Sequence, residues 1–275
     1  GLAKKKPLPI EEARANRARI AWDSFSPVAP TFEGTRVLAD ITLTDLRDYI
    51  DWTPFFRAWD LAGSYPKIMD DDVVGKVARD LYADGQRMLD MIIAEGWLTP
   101  TAVLGFWPAN AIGDDIAVYA DESRTAELAR LHTLRQQVRH SDDRPNWALA
   151  DFVAPDVTGA KDHIGAFAVS TGAGVAERCA AFEAENDDYS SIMLKALADR
   201  FAEAFAERMH ERVRREFWAY APDETLDNTD LIRERYRGIR PAPGYPACPD
   251  HSQKPDLFRL LNAEAETGIE LTESY

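Results

Sequence analysis

The chain has 275 residues, of which 45% are hydrophobic and 29% charged, enough apolar content to bury a substantial core and too much for a disordered chain. Forty-seven acidic against 32 basic side chains give a net charge of −15, which repels a phosphate backbone and excludes nucleic acid as the expected partner. Two cysteines without paired spacing, and no apolar run long enough to cross a bilayer, predict a reduced, cytoplasmic setting.

In chain order, residues 1–34 carry Lys4, Lys5, Lys6, Pro7, Pro9, Pro27 and Pro30 and are expected to form a linker and leading arm before a domain spanning 35–275. Val73, Val77, Leu81, Met88 and Ile92 recur at helical spacing after Asp70-Asp71-Asp72 and predict a helix ending near Gly96. Short β-branched or aromatic stretches predict strands at 101–107, 115–119, 147–153 and 163–169, with a helix over about 121–140 between the second and third. From 176 to 218 there is neither Pro nor Gly, and Leu197, Phe201, Phe205, Met209, Val213 and Phe217 repeat every fourth residue. That predicts one long helix or two in tandem, and a stripe that drifts around the helix by about 40° per step and so needs cover on more than one face. A short helix near 228–237, a Pro-rich loop at 240–249 and a helix at about 255–266 complete the reading.

Two segments concentrate unusual chemistry. In YIDWTPFF, Asp51 lies among Tyr49, Trp52, Phe55 and Phe56, where a carboxylate either caps a backbone turn or receives a positively charged ligand group. In RPAPGYPACPDH, from Arg240 to His251, four prolines fix the backbone in a short span. Such a loop serves either as a rigid connector or as a preorganised recognition element. Arg240 and Asp51 together would supply the guanidinium and carboxylate that a zwitterionic amino-acid moiety needs, and Tyr245 could add a ring face or a hydroxyl.

Asp199 and Glu203, four apart, read either as a solvated acidic face or as a site facing a cationic group. Arg208, Arg212, Arg214 and Arg215 read either as a docking patch or as partners of Glu207, Glu211 and Glu216 on a helix surface. Cys248 and His251 have a metal-like spacing, but a zinc site needs three or four ligands and no second cluster accompanies them, so no metal is expected there. Gly172-Ala173-Gly174 lacks the third glycine of a nucleotide fingerprint and reads as a strand-to-helix turn.

YIDWTPFF and RPAPGYPACPDH, with FWPAN, GDDI, LADFVAP, IGAFAV, DDYSSIMLKALADRFAEAFAE and LTES in matching order, resemble the C-terminal reactivation domain of cobalamin-dependent methionine synthase from about residue 35 onward. The resemblance implies an α+β fold: a single domain with a twisted antiparallel sheet flanked by helices. It implies that Asp51 and Arg240 hold the methionine part of S-adenosylmethionine, that Tyr245 belongs to the same binding loop, and that the acidic Asp199 and Glu203 lie near that site.

It also implies no catalytic acid or base in this chain, a cobalamin held by the cobalamin-binding domain of methionine synthase, and flavodoxin or a related flavoprotein as electron donor. Family members continue past LTES into a further tail, which this chain, ending at Tyr275, is expected to lack. Two rival readings are an independent methyltransferase and a docking module that binds no cofactor of its own. The first would require the complete glycine-rich turn that is missing.

Overall fold

The computed structural model describes residues 6–172, 174–241 and 254–261. A short helix α1 (Ile10–Ala15) precedes strand β1 (Gly34–Leu38) and the small helices α2 (Leu43–Arg47) and α3 (Thr53–Arg57). The long helix α4 (Gly75–Glu95) then leads into strands β2 (Thr101–Ile112), β3 (Asp115–Tyr119), β4 (Glu127–His132) and β5 (Asp162–Ser170). Helices α5 (Val175–Ala184), α6 (Asp188–Arg212), α7 (Asn228–Ile232) and α8 (Lys254–Leu261) follow.

All five strands join one antiparallel sheet organised around β2. Residues 101–109 of β2 pair with β5, while β1 pairs with 102–106 and β3 with 109–112 along the other edge. Side chains alternate across a strand, and β2 is buried on both faces. Ala102, Leu104 and Phe106 enter a large core shared with the helices, whereas Val103, Trp107, Ala109 and Ala111 enter a smaller one with Ala150, Val153 and Leu261. Gly105 and Gly165 are required here, because an added Cβ would come within 2.5 Å of the Trp107 ring and 2.7 Å of the Phe106 ring respectively.

The period-four stripe behaves as its drift demands. Leu197, Phe201, Phe205, Met209, Val213 and Phe217 are all buried in the large core, against residues of α2, α3, α4 and the sheet. The predicted pair in tandem is α5 and α6, separated by Asn186 at φ 60° and restarted by Asp187, whose carboxylate accepts from Ser190 N at 3.0 Å. After Arg212 the helix widens into a π-turn over Val213–Phe217.

Two expectations are corrected. The segment 121–140 is not a helix: Asp121 Oδ1 accepts from Ser123 N at 2.9 Å, Arg124 takes φ 55°, and the chain reverses into β4. There Ala129 and Leu131 point inward, because the free edge of β3 offers a ladder that outweighs local helix propensity. Nor is 147–153 a strand. Residues Leu149–Phe152 form a single 3₁₀ turn, whose Asp151 carboxylate accepts from Ala148 N at 2.9 Å.

The leading segment lies against the body: Leu8 N donates to Gln137 O at 2.8 Å, Asn16 to Asn146 Oδ1 at 2.7 Å, and Thr31 Oγ1 to Phe217 O at 2.6 Å. No helix among the described residues is long and apolar enough to cross a membrane.

Candidate functional site

Sequence-distant groups converge on the C-terminal half of α6. Asp51 occupies the turn between α2 and α3, half-buried, with Oδ1 accepting from Thr53 N at 3.2 Å. That is the capping alternative, and it uses one carboxylate oxygen; Oδ2 has no partner among the described residues. The preceding carbonyl, Ile50 O, accepts from the Asn228 amide at 3.2 Å, which ties this turn to the start of α7, 178 positions away. Tyr49 OH donates to Glu211 Oε1 at 2.6 Å, and Arg208 both bonds to Glu211 and lies over the Tyr49 ring. Burial and then Glu211 push the Tyr49 hydroxyl up to about 12, so it stays a donor at physiological pH.

Arg240 reaches α6 from the opposite side in sequence. Its Nη2 lies 3.4 Å from Glu207 Oε2, with side chains 25% and 14% exposed. Burial raises the Glu207 carboxyl above its ordinary range, partly offset by Arg240 and Arg214. The pair is incompletely satisfied: Arg240 Nε and Glu207 Oε1 are buried polar atoms without hydrogen-bond partners among the described residues, as is Asn228 Oδ1 beside the Asp51 turn. Unmet buried donors and acceptors carry a desolvation cost that a polar ligand would relieve.

The segment that delivers Arg240 hangs on a saturated anchor at the π-turn. Arg214, fully buried, donates to both oxygens of Glu224 at 2.8 and 3.0 Å, lies 2.7 Å from His210 Nδ1, and stacks 4.2 Å over the Tyr236 ring. Burial, with Arg214 and Arg240 nearby, drives the His210 imidazole down to about 3, so it is neutral and accepts from Arg214. Tyr220 OH donates to Arg237 O at 3.1 Å, three residues before Arg240.

The basic run is therefore not a surface patch: Arg214 is core, Arg212 is held by Glu216 and Asp40, and Arg208 by Glu211. Among the four, only Arg215 lacks a described carboxylate partner.

Asp199 and Glu203 are exposed on α6, two turns and one turn N-terminal to Glu207. The helical rise puts them about 12 and 6 Å from it along the axis. The structure thus brings Glu203 and Arg240 to neighbouring turns of one helix. It records no direct contact between Asp51 and Arg240, each of which has a different partner. Tyr245, Cys248 and His251 lie outside the described residues. Glu207, Glu211 and Asn228 were not singled out as binding groups by sequence; a signal was present in Glu207, which continues the four-residue spacing of Asp199 and Glu203.

Residues 42–275 match the family described as vitamin B12 dependent methionine synthase, activation domain. The chain is also similar to a solved structure described as the crystal structure of the MetH reactivation domain bound to AdoHcy. The two share 50% identity and a TM-score of 0.92, over 98% of this chain and 82% of that one.

Proposed function

The chain belongs to the family of vitamin B12-dependent methionine synthase activation domains, and from that membership we propose that it binds S-adenosylmethionine at the α6 site and presents the methyl group to a cobalamin held by another domain. A relative of 50% identity carries the demethylated form of that donor. In this chain the supporting observation is the incompletely satisfied Arg240–Glu207 pair on α6.

The residues fit the methionine moiety. Arg240 has an unpartnered Nε and a long contact to Glu207, leaving guanidinium donors to meet a carboxylate. Asp51 keeps one oxygen for an ammonium group while the other holds the backbone turn. Tyr245, outside the described residues, is assigned to the same site on the family resemblance alone, and Asp199 and Glu203 extend an acidic face along α6 that would receive the cationic sulfonium.

When bound, S-adenosylmethionine supplies an electrophilic methyl group. This chain's residues supply its position and orientation, with no acid or base required of them. The cobalamin-binding domain of methionine synthase provides the acceptor, and a flavodoxin-like protein the electron.

Calorimetric titration of S-adenosylmethionine and S-adenosylhomocysteine into the purified chain tests the reading. One site is expected, weakened by Asp51→Asn by about 1.5–3 kcal/mol, or roughly tenfold to a hundredfold. Turnover of the donor with a small acceptor and no cobalamin would favour an independent methyltransferase. No binding of either compound would leave a docking module.

A further inference from the structure

Away from α6, three segments that are remote in sequence meet at one imidazole. His163, the second residue of β5, has a side chain only 4% exposed, and its Nε2 lies 2.6 Å from Glu122 Oε1 and 3.7 Å from Glu33 Oε1. Glu33 immediately precedes β1 and Glu122 sits in the β3–β4 turn. The three donor atoms lie within 4.8 Å of one another. The Nδ1 of His163 is buried and unpartnered, so Nε2 is the atom through which this ring meets polar groups.

The surroundings hold the cluster in place. His163 N donates to Asp162 Oδ1 at 2.8 Å, and Asp162 Oδ2 accepts from Ala154 N at 2.9 Å, which fixes the start of β5. Arg124 donates to Asn110 Oδ1 at 2.7 Å and Asp162 O at 2.8 Å, and its Nη2 lies 3.3 Å from Glu122 Oε2. One oxygen of Glu122 is thereby oriented by a guanidinium while the other faces His163, the arrangement in which outer-shell bonds aim a ligating carboxylate. Pro27, Ala29 and Lys161 line a cleft that opens onto Glu122 and His163.

We propose that Glu33, Glu122 and His163 Nε2 form a binding site for a divalent transition-metal ion of the zinc class, with a fourth position open to the cleft. Two carboxylates within 4.8 Å of one another repel unless they share a proton or a cation lies between them. Ligand atoms about 2.1 Å from a tetrahedral zinc stand roughly 3.4 Å apart. The observed 2.6 and 3.7 Å bracket that value, so rotamer adjustments of less than about 1 Å seat an ion. An imidazole ligand favours zinc and its first-row neighbours over magnesium or calcium, which prefer oxygen alone. Three protein ligands with one open position is the coordination of sites that bind or activate a small molecule, rather than of closed structural ones.

Zn²⁺ alone is the probe, titrated into the intact chain with Co²⁺ as spectroscopic reporter. One Zn²⁺ per chain is expected, with visible Co²⁺ bands of a four-coordinate site and no thiolate charge transfer. Glu33→Gln and His163→Gln should each weaken binding about 10–100-fold, and Cys248→Ser should leave it unchanged. Glu33 is 38% exposed, so its variant tests the site even if the buried His163 variant does not fold. Absence of saturable Zn²⁺ binding, its survival in Glu33→Gln, or its loss in Cys248→Ser would overturn the proposal.

Discussion

Two arginines, one buried and one partly exposed, differ in how completely they are satisfied. Arg135, 1% exposed, donates to Asp114 at 2.6 Å and to both oxygens of Asp151 at 2.7 and 2.8 Å, with a further bond to Asn146 O at 2.7 Å. Arg240, 25% exposed, has one carboxylate at 3.4 Å and an Nε with no partner. The first cross-links the β2–β3 turn to the 149–152 turn and has nothing left to offer. The second has donors in reserve. Saturation marks a structural staple, and deficit in a well-packed surrounding marks a group arranged for something that arrives later.

The difference can be broken experimentally. Arg135→Met should cost about 3–5 kcal/mol in urea unfolding, since it strands the buried Asp151 without a cation and leaves Asp114 with the half-exposed Arg14 alone, and it should leave donor affinity unchanged in whatever fraction folds. Arg240→Ala should invert that pattern, losing about 1.5–3 kcal/mol of affinity for S-adenosylhomocysteine while stability moves by about 1 kcal/mol or less. Equal effects of the two substitutions on affinity would erase the distinction.

The anchor beneath Arg240 gives a smaller, pH-dependent signal. His210 is held neutral down to about 3 against an ordinary 6.5, chiefly by burial, so the unfolded chain takes up a proton that the folded one refuses. Its contribution is complete above pH 6.5 and is lost as pH falls towards 3, at up to about 1.4 kcal/mol per pH unit. In chemical denaturation at stepped pH, His210→Gln should flatten this slope; an unchanged slope would assign the acid sensitivity to other groups.

Much of the fold was legible because it is written in local periodicity. The α6 stripe announced both a helix and cover on several faces, and β2, β3 and β5 stood out as short apolar runs between turn residues. What failed was decided at long range. Nothing within 121–140 signals that β3 offers an open edge, and Asp151 in 147–153 turns the chain because Arg135 arrives 16 residues away. The same holds at the site. Asp51 and Arg240 drew notice through the odd composition of their own segments, whereas Glu207 and Asn228 gain meaning only from partners 33 and 178 positions distant.

Strand β2 pairs on both edges over residues 102–106 and is covered on both faces. Its amides consequently have no local route to solvent: a partial opening that frees one edge leaves the other zipped. In deuterium exchange the amides of 102–106 should report the free energy of unfolding the whole domain, while those of the α2–α3 turn around Asp51 exchange through smaller excursions. The molecule would then possess a slow clock in its middle strand and a faster one at its binding face, and ligand addition should retard the second before it touches the first.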